Sequence, residues 1–373
     1  MSATIRVPWR NGFIEAANPD PIAATSYTFS ERTIRRTEQA AAAVVLAGDR
    51  AHGALEVTAR LLLRSEGLAS SAIEGLRATP AEVAIAALER DAGHDADPVA
   101  SWVADNLAVV NEALVARGEL TESMLLRWHQ RLMRSQTAID VRHVGAYRDT
   151  LGWIGGTDRR TAVHVAAPAE RIAALMADLF AFVARTDLDP VTQAAIAHAQ
   201  FETIHPFADG NGRLGRVLIG WILTRRLNVT IPPPVSVQMA RDLGGYQSGL
   251  TLFRQDLIEP WVTWFADAIT AAATRTTEVL GSVAALQDDW RVRTADLRID
   301  SGTRRLCDQL TGAPVLNSDI VATLLGITEQ AARTALTQLA DRKIITETTT
   351  ARRTPGRPRR WFVAHELLAL LVR

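Results

Sequence analysis

Residues 205–216 read His205-Pro206-Phe207-Ala208-Asp209-Gly210-Asn211-Gly212-Arg213-Leu214-Gly215-Arg216, gathering a base, a carboxylate, closely spaced glycines and two arginines. Each type suits one part of a reaction on a polyphosphate. His205 can take a proton from an attacking hydroxyl near neutral pH. Asp209 offers the hard oxygen preferred by a divalent cation that bridges phosphate oxygens. Gly210 and Gly212, on either side of Asn211, let the backbone turn tightly and point N–H groups at one anion. Arg213 and Arg216 are three apart, so they leave one helical turn on neighbouring faces.

That turn opens a helix, because an apolar run at 217–223 follows directly. Ahead of the segment, residues 190–204 carry Ala194, Ile196, Ala197 and Phe201 near helical spacing, and Asp189-Pro190 starts them. The segment is therefore a loop between two helices. Gly210-Asn211-Gly212 lies at the N-terminus of the second, where the helix dipole adds positive charge. Phe207 reads as a core anchor rather than a chemical group.

With every fixed position filled, the segment resembles the Fic family signature, His-Pro-Phe-x-Asp/Glu-Gly-Asn-Gly-Arg-x-x-Arg. The resemblance implies a mainly α fold, a helical core with one β-hairpin flap. It implies transfer of AMP from ATP to a Ser, Thr or Tyr hydroxyl of a target protein or of the chain itself, with Mg²⁺ as cofactor. His205 would be the base and Asp209 the metal ligand. Gly210, Asn211, Gly212, Arg213 and Arg216 would hold the phosphates. Kinase-like relatives carry a lysine at the position of Gly212, so that glycine argues for AMP transfer over phosphoryl transfer. Phosphocholine transfer needs a specialised pocket for which no residues stand out.

Upstream, Ser70 and Glu74 are four apart and share a helix face, and Gly75 can end that turn. On chemistry alone this is an ordinary helix C-terminus. A carboxylate there opposes the dipole, a hint that Glu74 has another partner. The pattern Ser/Thr-x-x-x-Glu-Gly/Asn resembles the inhibitory helix of Fic proteins. In that family the glutamate pairs with the second signature arginine, here Arg216, and fills space the γ-phosphate needs. In some relatives it also positions water for AMP removal. The sequence leaves open whether Glu74 acts within its own chain or across a homodimer.

The stretch from Trp153-Ile154-Gly155-Gly156-Thr157-Asp158 to Thr161-Ala162-Val163-His164-Val165 reads as a short β-hairpin. A lone hairpin in a helical chain is marginal unless it packs or binds something. Its place resembles the Fic flap, which pairs with target backbone by strand addition; Thr157, Thr161, Ala162, Val163, His164 and Val165 are the docking residues this implies. His164 has no nameable partner. The family places a tyrosine against the nucleobase in the region of Tyr246. His129 reads as a core or interface histidine.

The chain has 373 residues, 47% of them hydrophobic, enough for two or three domains. Its 41 basic and 41 acidic residues balance, so no global polyanion-binding field is expected. Lys343 is the sole lysine, and the single cysteine, Cys307, excludes an intramolecular disulfide. No apolar signal core or membrane-length run is present, which leads us to expect a cytoplasmic protein without membrane association.

Along the chain, residues 1–30 contain Pro8, Pro19 and Pro21 and are expected to be irregular. Residues 1–100 form the N-terminal helical region with the inhibitory helix, 101–272 the catalytic core, 273–300 a polar linker helix, and 301–373 a separate unit. That unit reads as helix, helix–turn–helix with Asn317 as cap and Gly326 as break, then two strands around a basic loop. It resembles a winged helix-turn-helix domain. It holds 11 Lys and Arg against 6 Asp and Glu, a net +5. Arg352, Arg353, Arg357, Arg359 and Arg360 on the wing could enter a minor groove, and Arg333 a major groove. Winged helices also mediate dimerisation and protein contacts, which is the alternative to DNA binding here. A rival reading of the whole chain is a DNA-binding transcription regulator whose Fic domain senses nucleotide or modifies the chain.

Overall fold

The computed structural model describes residues 3–10, 12–53, 56–349 and 359–371. The chain opens with an antiparallel hairpin, β1 (Ala3–Trp9) and β2 (Gly12–Asn18), in register Val7↔Ile14 and Trp9↔Gly12. This corrects the expectation of irregular chain at 1–30. Pro8 reads as a strand breaker, but a two-stranded ribbon is all edge and tolerates it. The Asn11-Gly12 pair is itself a hairpin signal, and the adjoining Arg10 takes the left-handed φ of 50°.

Helices α1 (Glu31–Gly53), α2 (Glu56–Ile73), α3 (Pro80–Asp91), α4 (Pro98–Val115) and α5 (Glu122–Leu132) follow. Thr79 caps α3 in a full capping box with Glu82, and Thr121 caps α5. A second short hairpin, β3 (Trp153–Ile154) with β4 (His164–Val165), precedes α6 (Ile172–Val183), α7 (Pro190–Ile204) and α8 (Asn211–Leu227). Next come α9 (Val235–Arg241), α10 (Leu243–Arg254) and α11 (Ile258–Arg293).

Helix α7 is the axis of the first core. Every residue from Val191 to Ile204 is buried, so it shows no polar face. Around it pack Phe182, Leu218, Ile222, Trp261 and Phe265 from α6, α8 and α11.

The expected polar linker helix at 273–300 is instead the second half of α11, one 36-residue helix that begins in the first core. It is not polar all round: Val279, Val283 and Trp290 point into a second core. That core is completed by α12 (Gly302–Gln309), β5 (Val315–Leu316), α13 (Ser318–Leu325), α14 (Glu329–Asp341), β6 (Thr346–Thr349), β7 (Arg360–Val363) and α15 (His365–Ala369). Asn317 caps α13 and Gly326 ends it at φ 63°, and the sheet order is β5-β7-β6. Cys307 is buried here. Leu61 and Leu62 of α2 belong to this second core as well. Among the described residues, no helix is long and apolar enough to cross a membrane.

Candidate active site

His205 ends α7 in the left-handed conformation, φ 53° and ψ 61°, with its N–H on the Phe201 carbonyl at 2.8 Å. This uncommon backbone for a non-glycine residue throws the ring out of the helix line. Burial, with Arg148 and Arg254 nearby, pushes the imidazole down to about 3, so it is neutral near pH 7 and able to accept a proton.

The loop after His205 is held rigidly. Phe207 is fully buried and stacks on His129 at 4.0 Å. The His129 ring contacts the Asp209 carbonyl through Nε2 at 3.1 Å and accepts the Gly145 N–H at Nδ1 at 2.9 Å, a core role as expected. Asn211 is spent on the same loop. Its Nδ2 donates to the Phe207 carbonyl and its Oδ1 accepts the Phe207 N–H, both at 2.8 Å. The side chain of Asn211 is thus a buried clamp, which leaves its backbone for the nest.

Sequence reasoning gave Arg148 no role. Its buried guanidinium donates to the carbonyls of His205 and Thr150, both at 2.7 Å, Ala167 at 2.5 Å and Ile204 at 3.2 Å, while its N–H meets Pro206 at 3.0 Å. One side chain therefore ties the chain flanking the β3–β4 hairpin to the base. Nothing in its neighbourhood, which includes Tyr147 and Asp149, set Arg148 apart in the sequence.

Asp209 remains 51% exposed, with Oδ1 accepting the Gly210 N–H at 2.6 Å and Oδ2 3.4 Å from Arg213 Nη2. Its outer lone pairs are open to a cation. Among the described residues no cluster of three or more His, Cys, Asp or Glu forms a protein-only metal cage. A lone exposed carboxylate suits Mg²⁺, which binds through one or two carboxylates plus substrate phosphates.

Gly210 adopts φ 81° ahead of α8, and Gly212 faces α2. A Cβ on Gly212 would lie 2.0 Å from Glu74 Oε1 and 3.0 Å from Arg216 Nη1, so only glycine fits beneath that carboxylate. Arg216 is buried. Its Nε donates to Ser70 Oγ and its Nη2 to the Ser70 carbonyl, both at 2.9 Å, and Nη2 also pairs with Glu74 Oε1 at 2.7 Å. Glu74 is 39% exposed, so one side of the pair stays wet. The contact forms within one chain. Arg213 is buried, and its Nε lacks a hydrogen-bond partner among the described residues.

The β3–β4 hairpin has two strand pairs, Trp153↔Val165 and Ile154↔His164. Thr161 Oγ1 organises its turn by accepting the N–H groups of Thr157 and Asp158. Val163 is 75% exposed, and Ala162 and Val165 are partly open. His164 is the exception. It is buried with Nε2 2.9 Å from the Thr203 carbonyl, so it fastens the hairpin to α7 instead of facing outward. Tyr246 also presents no open face. It is buried, its hydroxyl lies 2.9 Å from His198 Nε2, and its ring packs on His198, Trp261 and Trp264. Among the C-terminal arginines, Arg333 pairs with Glu329, Arg360 with Glu347, and Arg359 lies 3.6 Å from Glu89 of α3. Arg352, Arg353 and Arg357 lie outside the described residues.

A base at a helix end beside a glycine nest and two arginines is set here on a helical scaffold. Residues 119–223 of the chain match the Fic/DOC family model. It is 32% identical over 162 residues to the protein adenylyltransferase Fic of Drosophila grimshawi, across 42% of this chain and 30% of that relative. For the same protein of Drosophila willistoni the identity is 31% over 161 residues, across 42% and 29%. The chain thus spans less than a third of the length of these relatives. In fold it is similar to a Fic family protein from Desulfovibrio desulfuricans G20, with TM-score 0.58, 24% identity and coverage of 91% of this chain and 97% of that one. A fragment of Fic-1 from C. elegans gives TM-score 0.51, 20% identity, and coverage of 68% and 75%.

Proposed function

We propose that this chain transfers AMP from ATP to a Ser, Thr or Tyr hydroxyl of a target protein or of the chain itself, and that Glu74 restrains it. The observation that carries this is the Glu74 carboxylate lying over Gly212 while paired with Arg216. That carboxylate takes the place and the counter-charge a terminal phosphate would need. The name of the Drosophila relatives, protein adenylyltransferase, supports the reaction class.

In this reading the acceptor segment lies along residues 157–165. His205 takes the hydroxyl proton as the oxygen attacks the α-phosphorus, and pyrophosphate departs. The N–H groups of the nest and Arg213 bind the charge that develops on the phosphates. Arg216 takes the γ-phosphate once Glu74 swings away. Asp209 would hold Mg²⁺, which supplies charge neutralisation between the phosphates. AMP removal at the same site, with Glu74 in place, is the alternative outcome.

The test uses α-labelled and γ-labelled ATP with Mg²⁺ on wild type, Glu74→Gly and Glu74→Gly/His205→Ala. Strong α-label in Glu74→Gly alone is expected, on the chain itself or on a target. Equal label in wild type and Glu74→Gly removes the restraint; γ-label means phosphoryl transfer; no label from either position, with potential targets present, rejects the transfer reading.

For the C-terminal unit we keep the winged-helix reading, supported by the order α12, α13, α14, β6, β7. DNA binding through it requires Arg333 and Arg360 to leave their acidic partners. A salt-dependent electrophoretic shift that weakens in Arg333→Ala is the expected result, and no shift at low salt rejects it. The Glu74–Arg216 contact needs no second copy, so a homodimer would serve another purpose.

A further inference from the structure

We propose that Glu202 is the positioning residue for His205, its carboxylate holding the ring's Nδ1–H so that Nε2 faces the acceptor. This deepens, and in its kinetic part rests on, the transfer reading above.

The two residues are three apart at the end of α7, hence on one face. Glu202 Oε2 lies 3.9 Å from His205 Nδ1. Among the described residues, His205 Nδ1 and Glu202 Oε1 both lack a hydrogen-bond partner. Buried polar atoms left in that state call for an explanation; Oε2 is the carboxylate oxygen beside Nδ1, while the unpaired Oε1 faces the Gly215 and His198 side, where His198 Nδ1 is also unpaired. Hydrogen bonds of this type are often long without substrate and tighten in the reacting complex. A carboxylate behind a histidine fixes its tautomer and steadies the imidazolium that forms when it takes a proton.

The surroundings keep the carboxylate in place. Helix α8 makes room for it with a glycine: a Cβ on Gly215 would sit 2.7 Å from Glu202 Oε1 and 3.0 Å from His198 Nδ1. His198 is in turn held through Nε2 by the Tyr246 hydroxyl. The charges facing Glu202 are Arg216 from α8, Arg254 from α10 and Glu74 from α2; those facing His205 are Arg148 and Arg254. Burial pushes the Glu202 carboxyl up to about 7, Arg216 pulls it down, and Glu74 pushes it up.

The rival holder is the Glu202 main-chain carbonyl, which also lies by the ring and favours its protonated form. Two variants separate them. Glu202→Gln keeps an acceptor and removes the charge; Glu202→Leu removes both. The full chain is labelled with ¹⁵N-histidine, and the His205 resonances are assigned by their loss in His205→Ala. Wild type is expected as the Nδ1–H tautomer. Glu202→Leu should give a tautomer mixture, and Glu202→Gln should keep the tautomer with its titration moved to lower pH. In the Glu74→Gly background, kcat for α-label transfer should fall roughly 10- to 100-fold in Glu202→Leu with KM for ATP unchanged. A folded Glu202→Leu chain with the wild-type tautomer overturns the proposal in favour of the carbonyl. If Glu202→Leu does not fold, an unshifted His205 titration in Glu202→Gln overturns it equally. Absence of label in Glu74→Gly itself rejects the transfer reading, and the tautomer measurement still decides the role of Glu202.

Discussion

At the residue scale, the site is built by side chains whose hydrogen-bonding capacity is consumed locally. Arg148 spends its fork on four backbone carbonyls, two of them from the last residues of the helix that delivers the base. Replacing it by alanine leaves those carbonyls buried and unpaired, and should cost roughly 3–4 kcal/mol. Arg148→Lys restores the charge but not the planar fork, so it should recover only part of the loss. Thermal midpoints of the two variants check this, and equal midpoints for Arg148→Ala and wild type reject it. The signature itself was legible from sequence because its chemistry is local: His205, Asp209, Gly212 and Arg216 lie within one loop and one turn. The roles of Asn211, His164 and Tyr246 were not. The partners of His164 and Tyr246, the Thr203 carbonyl and the His198 ring, lie far along the chain, and that of Asn211, Phe207, is set by the fold of the loop itself, so no spacing rule contains them.

At the element scale, α2 is the part most tightly shared. Gly67 lets it approach α4 so closely that a Cβ there would be 2.6 Å from Leu107. Asn106 donates to the Gly67 carbonyl and to Ser71, and Glu66 accepts the Ser236 N–H at 2.9 Å. These contacts fix the half of the helix that bears Ser70 and Glu74. The earlier turn, with Leu61 and Leu62, is set in the second core around Trp290. Trp290→Ala removes a large buried ring and its hydrogen bond to Glu366, and should cost about 3–5 kcal/mol in that core. If α2 transmits the loosening, α-label on the otherwise wild-type chain rises towards the Glu74→Gly level. Unchanged label with a lowered thermal midpoint shows the two halves of α2 to be independent. The helix ends of the C-terminal unit were legible, Asn317 as a cap and Gly326 as a stop, because capping is a short-range matter. The continuity of α11 was not, since only its tertiary partners tell a polar linker from a helix with one buried stripe.

At the scale of the whole molecule, two cores are joined by α11 and α2; the mainly helical class was implied by the family resemblance and agreed with the helical periodicities, while the N-terminal hairpin was not foreseen. A two-stranded ribbon has no core of its own. Its signal is one Asn-Gly pair, and its stability comes from what it lies against. What it lies against includes Arg159, whose guanidinium is 3.8 Å from the ring centre of Trp9 and 4.7 Å from that of Trp153. A cation between two indoles, one from each hairpin, makes the distance between the hairpins an optical quantity. Any backbone that displaced β3 from β1 would withdraw the charge from both rings together and shift their emission in concert. The deeply buried Trp128, Trp261 and Trp290 would stay silent. The molecule thus carries its own fluorophore pair at the edge where the two hairpins meet.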